Sequence, residues 1–128
     1  SDQVKSLGFV TDEITLQIAY SASDLLLHPA PIDNLPNTVA ESMSCGTPVL
    51  AFDTGGIPEM VIPQKSGWLV KKLKAESMIK VLSNILLSND YETLSETCRS
   101  TAKVLFDQSK IAQRYEDHLL NKSGSACN

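Results

Sequence analysis

Asp33 and Glu41 stand eight residues apart, the first in a proline-rich loop and the second at the entry to a helix. Gly55 and Gly56 follow a short apolar run further on. Carboxylates accept charge-assisted hydrogen bonds. A helix start attracts anions. Adjacent glycines let a ligand reach the backbone with no Cβ in the way. Each feature also has a plainer reading. Asp33 alone fits an Asx-turn. Glu41 fits the third position of a capping box, Thr38-Val39-Ala40-Glu41. Gly55-Gly56 alone is a turn, and Glu59 alone answers a helix dipole. His28 reads as a hydrogen-bonded structural residue rather than a base.

The elements that must position these residues can be placed from their ends. Pro36 stiffens the approach, and Asn37 or Thr38 is suited to cap the first turn. Gly46 supplies a left-handed stop and Pro48 forbids continuation. Val49-Leu50-Ala51-Phe52 is continuously apolar and bounded by turn residues, so it reads as a strand covered on both faces. Asp53-Thr54-Gly55-Gly56 leaves that strand, and Ile57-Pro58-Glu59 opens a short helix through Val61.

Upstream, Leu7-Gly8-Phe9-Val10 is expected to be a short strand. Thr11 is expected to cap a helix whose inner face is Ile14, Ile18 and Ala22, with Tyr20 at an edge. Leu25-Leu26-Leu27 is the next strand, ended by His28-Pro29-Ala30-Pro31. Alternating strands and helices signal a parallel α/β sheet with right-handed crossovers. The exit loops 28–37 and 53–58 then fall on one sheet edge, where ligands of open α/β sheets bind. Ser66 to Val70 reads as a turn and a last strand. Beyond it three helical faces follow: Met78, Leu82, Ile85 and Leu86; Tyr91, Leu94, Cys98, Ala102 and Leu105; and Ile111, Tyr115 and Leu119. Ser88-Asn89-Asp90 and Asp107-Gln108 break them. The expected fold is therefore α/β, a partial doubly wound sheet of about four strands with helices on both faces and a helical C-terminus.

Composition narrows the partners. The 128 residues make one domain or part of one, and an apolar fraction of 42% suits a packed core. Net charge is −4, with no basic cluster longer than Lys71-Lys72, which argues against nucleic acid. No apolar run approaches the ~18 residues a membrane span needs. Cys45, Cys98 and Cys127 are scattered, with neither metal-site spacing nor a disulfide framework, which favours a reducing cytoplasm.

The run from Asp33 to Glu59 resembles the C-terminal domain of GT-B fold, family 4 type retaining glycosyltransferases. That family shows an acidic pair separated by seven residues, then a small-residue turn, a strand and a Gly-Gly-x-x-E loop. Here these are Asp33 and Glu41, Ser44-Cys45-Gly46-Thr47-Pro48-Val49, and Gly55-Gly56-Ile57-Pro58-Glu59. Leu7 to Val10, Tyr20, Ala22-Ser23-Asp24 and Gly67 to Val70 also match, so the resemblance covers roughly residues 4–120. The one departure is Asp33 itself, shorter by a methylene than the family's glutamate.

The resemblance implies a nucleotide-sugar donor site. Glu41 would bind the ribose hydroxyls and Asp33 would face the transferred sugar as the catalytic carboxylate. Asn37, Thr38 and Val39 would offer backbone N–H groups to the donor. Pro36, Gly55 and Gly56 complete the implied substrate-binding set. It implies no metal and no cofactor beyond the nucleotide-sugar substrate. It also implies a diphosphate-binding Arg and Lys, and an acceptor domain, upstream of residue 1. The acceptor is expected to be a glycan or lipid-linked saccharide, and the location the cytoplasm or the inner membrane face. Residues 1–121 are accordingly expected to form part of the nucleotide-sugar-binding domain, and 122–128 a disordered tail. A fragment of this kind is expected to be inactive alone and to self-associate through its open edge. A nucleotide-sugar epimerase and a non-catalytic nucleotide-binding module are the alternatives.

Overall fold

A computed structural model describes residues 3–34, 36–71 and 73–107. In order the elements are α1 (Glu13–Ser21), β1 (Leu26–His28), α2 (Asn37–Ser44), β2 (Val49–Phe52), α3 (Ile57–Met60), β3 (Gly67–Val70), α4 (Ala75–Ser88) and α5 (Asp90–Phe106). The strands form one parallel sheet in the order β1-β2-β3. Leu26 pairs with Val49 and His28 with Ala51, while Val49 pairs with Gly67 and Phe52 with Val70.

Strand β2 sits in the middle and is buried along its whole length, as expected of a strand covered on both faces. Its alternate residues feed two cores. Val49 and Ala51 pack with Val39 and Met43 of α2, Ile57 and Met60 of α3, and Cys98 and Ala102 of α5. Leu50 and Phe52 pack on the other face with Val70, Met78 and Ile85. Gly67 makes the second strand pair possible. A Cβ there would stand 1.9 Å from the Val49 carbonyl oxygen.

Several local readings need correction. Among the described residues there are three strands, not about four. Leu7 to Val10 forms no strand, and Phe9 is 95% exposed. A lone strand has no ladder to stabilise it. The second strand ends on His28, one residue later than Leu27. Helix α1 is capped by Asp12, not Thr11; the Asp12 carboxylate accepts from the Thr15 N–H. Its expected inner face is turned outward, with Ile14 67% and Ile18 63% exposed and Ala22 exposed beyond the helix end. The half-buried face is Leu16, Ala19 and Tyr20 instead, and α1 packs on α2. Leu86 of α4 is likewise exposed, while Met78 and Ile85 are buried.

The helix stops fall at the expected turn residues. Gly46 takes φ +80° just past α2, and its N–H donates to the Met43 carbonyl. Asn89, at φ +56°, separates α4 from α5, and Asp107 caps the end of α5. The third helical face, Ile111 to Leu119, and the tail 122–128 lie outside the described residues. No helix among the described residues is long and apolar enough to cross a membrane.

Candidate functional site

Because β1 and β2 are parallel, the loops that follow them leave the same sheet edge. They are joined there. The Gly56 N–H donates to the Asp33 carbonyl oxygen at 3.2 Å. Gly55 adopts φ +56°, and a Cβ on it would come within 2.3 Å of that same oxygen. Only glycine meets both conditions, since a side chain at this φ is strained and here has no room. The Gly-Gly pair is therefore more than a turn: it fixes the backbone of the acidic loop.

Helix α2 rises from this junction. It starts two residues before the position the capping box requires. Pro36, buried and extended at φ −70° and ψ 123°, is its N-cap, and no side chain caps it. Thr38 thus lies inside the first turn and Glu41 in the second, so the Thr38–Glu41 capping box does not form. Proline's fixed φ suits the helix entry without help from a side-chain hydroxyl. An uncapped helix start leaves its first N–H groups free for outside acceptors. Asn37 and Thr38 are exposed, whereas the Val39 side chain is fully buried in the core. Val39 has only its backbone to offer a ligand.

Released from a capping role, Glu41 is held by another partner. The Tyr20 hydroxyl donates to Glu41 Oε2 at 3.1 Å. Tyr20 is placed in turn by its own carbonyl, which accepts from the buried Thr47 hydroxyl. Partial burial, and next the hydrogen bond to Glu41, push the Tyr20 phenol up to about 12. It therefore stays a donor throughout the physiological range. Glu41 is exposed and lines a cleft of about 360 Å³ between α1 and α2, with Leu16, Gln17, Tyr20, Ala40 and Ser44 on its walls. It lies one helical turn beyond Asn37 on the same stripe of α2.

The Asp33 carboxylate has a neighbour of its own. Its Oδ2 lies 3.3 Å from His28 Nε2. No hydrogen bond or ion pair joins Asp33 to Glu41 among the described residues. Glu59 is exposed in the first turn of the short helix α3, with Pro58 beside it. No group of three or more His, Cys, Asp or Glu side chains is placed to share a metal ion among the described residues.

The sequence reading missed two contacts, Tyr20–Glu41 and His28–Asp33. A histidine ending a strand directly before the acidic loop was a signal for the second. Tyr20 carried no comparable signal, because its partner lies 21 residues away on another helix.

Known proteins resemble this chain in sequence and fold. The model of the family described as glycosyl transferases group 1 matches residues 1–104. The lipopolysaccharide 1,2-N-acetylglucosaminetransferase of Salmonella typhimurium strain LT2 is 28% identical over 104 residues, covering 80% of this chain and 27% of that protein. A D-inositol 3-phosphate glycosyltransferase of Mycobacteroides abscessus is 31% identical over 87 residues, covering 68% of this chain and 19% of its own length. Among solved structures, sucrose-phosphate synthase from Thermosynechococcus elongatus superposes with a TM-score of 0.83 at 28% identity, over 98% of this chain and 31% of that one. Anabaena HepE in complex with UDP-glucose gives 0.74 at 27% identity, over 94% and 33%. The chain thus spans about a third or less of each of these proteins.

Proposed function

We propose that this chain, which belongs to the group 1 glycosyl transferases, supplies the donor-binding part of a retaining hexosyltransferase. The donor is a nucleoside-diphosphate sugar. The acceptor is a glycan or a lipid-linked saccharide, held by parts of the protein beyond these residues. The reaction is cytoplasmic, at or near the inner membrane face. Two observations on relatives support the donor class: HepE has been solved with UDP and with UDP-glucose.

The observation that carries the reading is the hydrogen bond from Gly56 to Asp33 at the sheet edge. It brings a carboxylate, a Cβ-free loop and an uncapped helix start together at one place. In transfer with retention, the bond between the anomeric carbon and the diphosphate oxygen breaks. A bond to the acceptor oxygen forms on the same face, and the acceptor hydroxyl's proton passes to the departing diphosphate. The departing diphosphate gathers negative charge. The first-turn N–H groups of Asn37, Thr38 and Val39, with the dipole behind them, stabilise that charge. Asp33 accepts hydroxyl donors of the sugar and fixes its orientation, which is a large part of what a positioned reactant gains. Glu41, steadied by Tyr20, accepts the ribose hydroxyls. Gly55 and Gly56 let the sugar lie against the backbone, and Pro36 sets the direction in which the helix start points. No metal or further cofactor is assigned a role.

The test is to titrate the intact protein, in ¹⁵N-labelled form, with UDP-glucose and with GDP-mannose. Shifts should cluster at the amides of Gly55, Gly56, Asn37 and Thr38. Binding that leaves those amides unmoved would place the donor elsewhere.

A further inference from the structure

We propose that His28 is a positioning residue for Asp33, orienting its carboxylate toward the transferred sugar through the imidazole Nε2. The proposal rests on the donor-site reading above. His28 is the last residue of β1, and its backbone is pinned by parallel pairing with Ala51 of the central strand. Its ring therefore starts from backbone held in the sheet. Nε2 lies 3.3 Å from Asp33 Oδ2, within ion-pair distance. Yet Nε2 makes no hydrogen bond, and it is sealed from solvent. A buried ring nitrogen left without a partner is unfavourable and rare, and a carboxylate beside it favours the tautomer with the proton on Nε2. Asp33 is the only acidic side chain paired with His28 among the described residues.

The two ends of Asp33 are held differently. Its backbone is fixed by the Gly56 N–H. Its carboxylate is paired with no side chain other than His28 among the described residues. A small rotation aligns Oδ2 with the Nε2 proton and satisfies the orphan donor. That leaves Oδ1 directed away from His28, on a side chain that is about one-third exposed. In this arrangement one oxygen anchors and the other is presented to a sugar hydroxyl. A shorter aspartate, compared with glutamate, gains most from such an anchor, because its carboxylate sits close to the strand end.

The experiment is calorimetric titration of the intact protein with two probe pairs, UDP against UDP-glucose and GDP against GDP-mannose. The variants are His28→Phe, which keeps the ring and loses the donor, and His28→Gln, whose amide nitrogen reaches close to the Nε2 position. His28→Phe is expected to weaken the sugar nucleotide roughly tenfold, the loss of one hydrogen bond to a charged group. The bare nucleotide should stay within about twofold. His28→Gln should restore most of the sugar-nucleotide affinity, and His28→Phe added to Asp33→Ala should produce no further loss. Equal weakening of nucleotide and sugar nucleotide, with a lowered melting temperature, would mean that His28 only supports the fold. Parent-like binding by His28→Phe would overturn the proposal alone. Failure of the parent to bind any of the four probes would overturn the donor-site reading together with it.

Discussion

The carbonyl oxygen of Asp33 and the N–H of Gly56 are hydrogen-bonded at 3.2 Å across two loops that leave neighbouring parallel strands. The contact closes a gap of 23 residues in sequence and needs glycine at the preceding position. Everything assigned to the donor site lies on this junction or within the first two turns of the helix that rises from it.

Gly55→Ala should be strongly destabilising. The positive φ and the 2.3 Å approach to the Asp33 oxygen act together. Local backbone strain of this sort costs roughly 1–3 kcal/mol, or a melting temperature lower by at least about 4 °C. Gly8→Ala is the control, because Gly8 also has positive φ but nothing within 4 Å of the added Cβ. It should lose distinctly less. Equal losses in thermal melts would mean that the clash with Asp33 is relieved at no penalty.

Thr38→Ala should leave stability within about 0.5 kcal/mol of the parent, as for exposed helix positions that do not cap. A true N-cap threonine would lose about 1 kcal/mol. Urea midpoints separate the two, and a loss of the larger size would restore the capping box.

Alkaline pH should unfold the protein partly through Tyr20 and Cys98. Burial raises the Cys98 thiol from an ordinary 9.0 to about 12, and burial followed by the Glu41 hydrogen bond raises Tyr20 from 10.0 to about 12. Both groups are held protonated in the fold. Their stabilisation is complete below the unfolded values and is lost as pH rises through about 12. Urea midpoints should therefore fall from pH 9 upward. Tyr20→Phe should flatten the part above pH 10 and leave the earlier part in place. An unchanged profile in Tyr20→Phe would show that its phenol is not linked to folding.

The chain on its own should self-associate at high concentration. Among the described residues strand β1 is an open edge with Leu27 45% exposed, and Ile14 and Ile18 present an uncovered apolar face. Such edges and patches pair when nothing covers them. Sedimentation should show dimers or larger species, reduced by Ile18→Lys; a clean monomer in the millimolar range would contradict this.

What could be read from the sequence depended on how local the cause was. The β2 strand, the Gly46 stop of α2 and the Asn89 break follow from short apolar runs and turn residues, and all are present. Parallel pairing followed from element order. The faces of α1 did not, because Ile14 and Ile18 mark an apolar stripe without telling what covers it. The Leu7 to Val10 strand failed for a related reason: extended apolar residues form a strand only beside another one. The start of α2 was misjudged because S/T-x-x-E is a frequent pattern, and Pro36 alone fixes the entry. At the site, the acidic pair and the glycines were legible. The tethers on them, Tyr20 and His28, were not, since each is a tertiary contact.

The central claim is that Glu41 binds the donor through its charge, and Glu41→Gln tests it most directly. Glutamine preserves shape and can still accept from Tyr20, and no cap depends on the carboxylate. The melting temperature should therefore hardly move. Calorimetric titration of the intact protein with whichever of UDP-glucose and GDP-mannose the parent binds should show a loss of about 10–150-fold, equivalent to ~1.5–3 kcal/mol of charge-assisted hydrogen bonding. Parent-like affinity in Glu41→Gln, with the fold intact, would contradict the account.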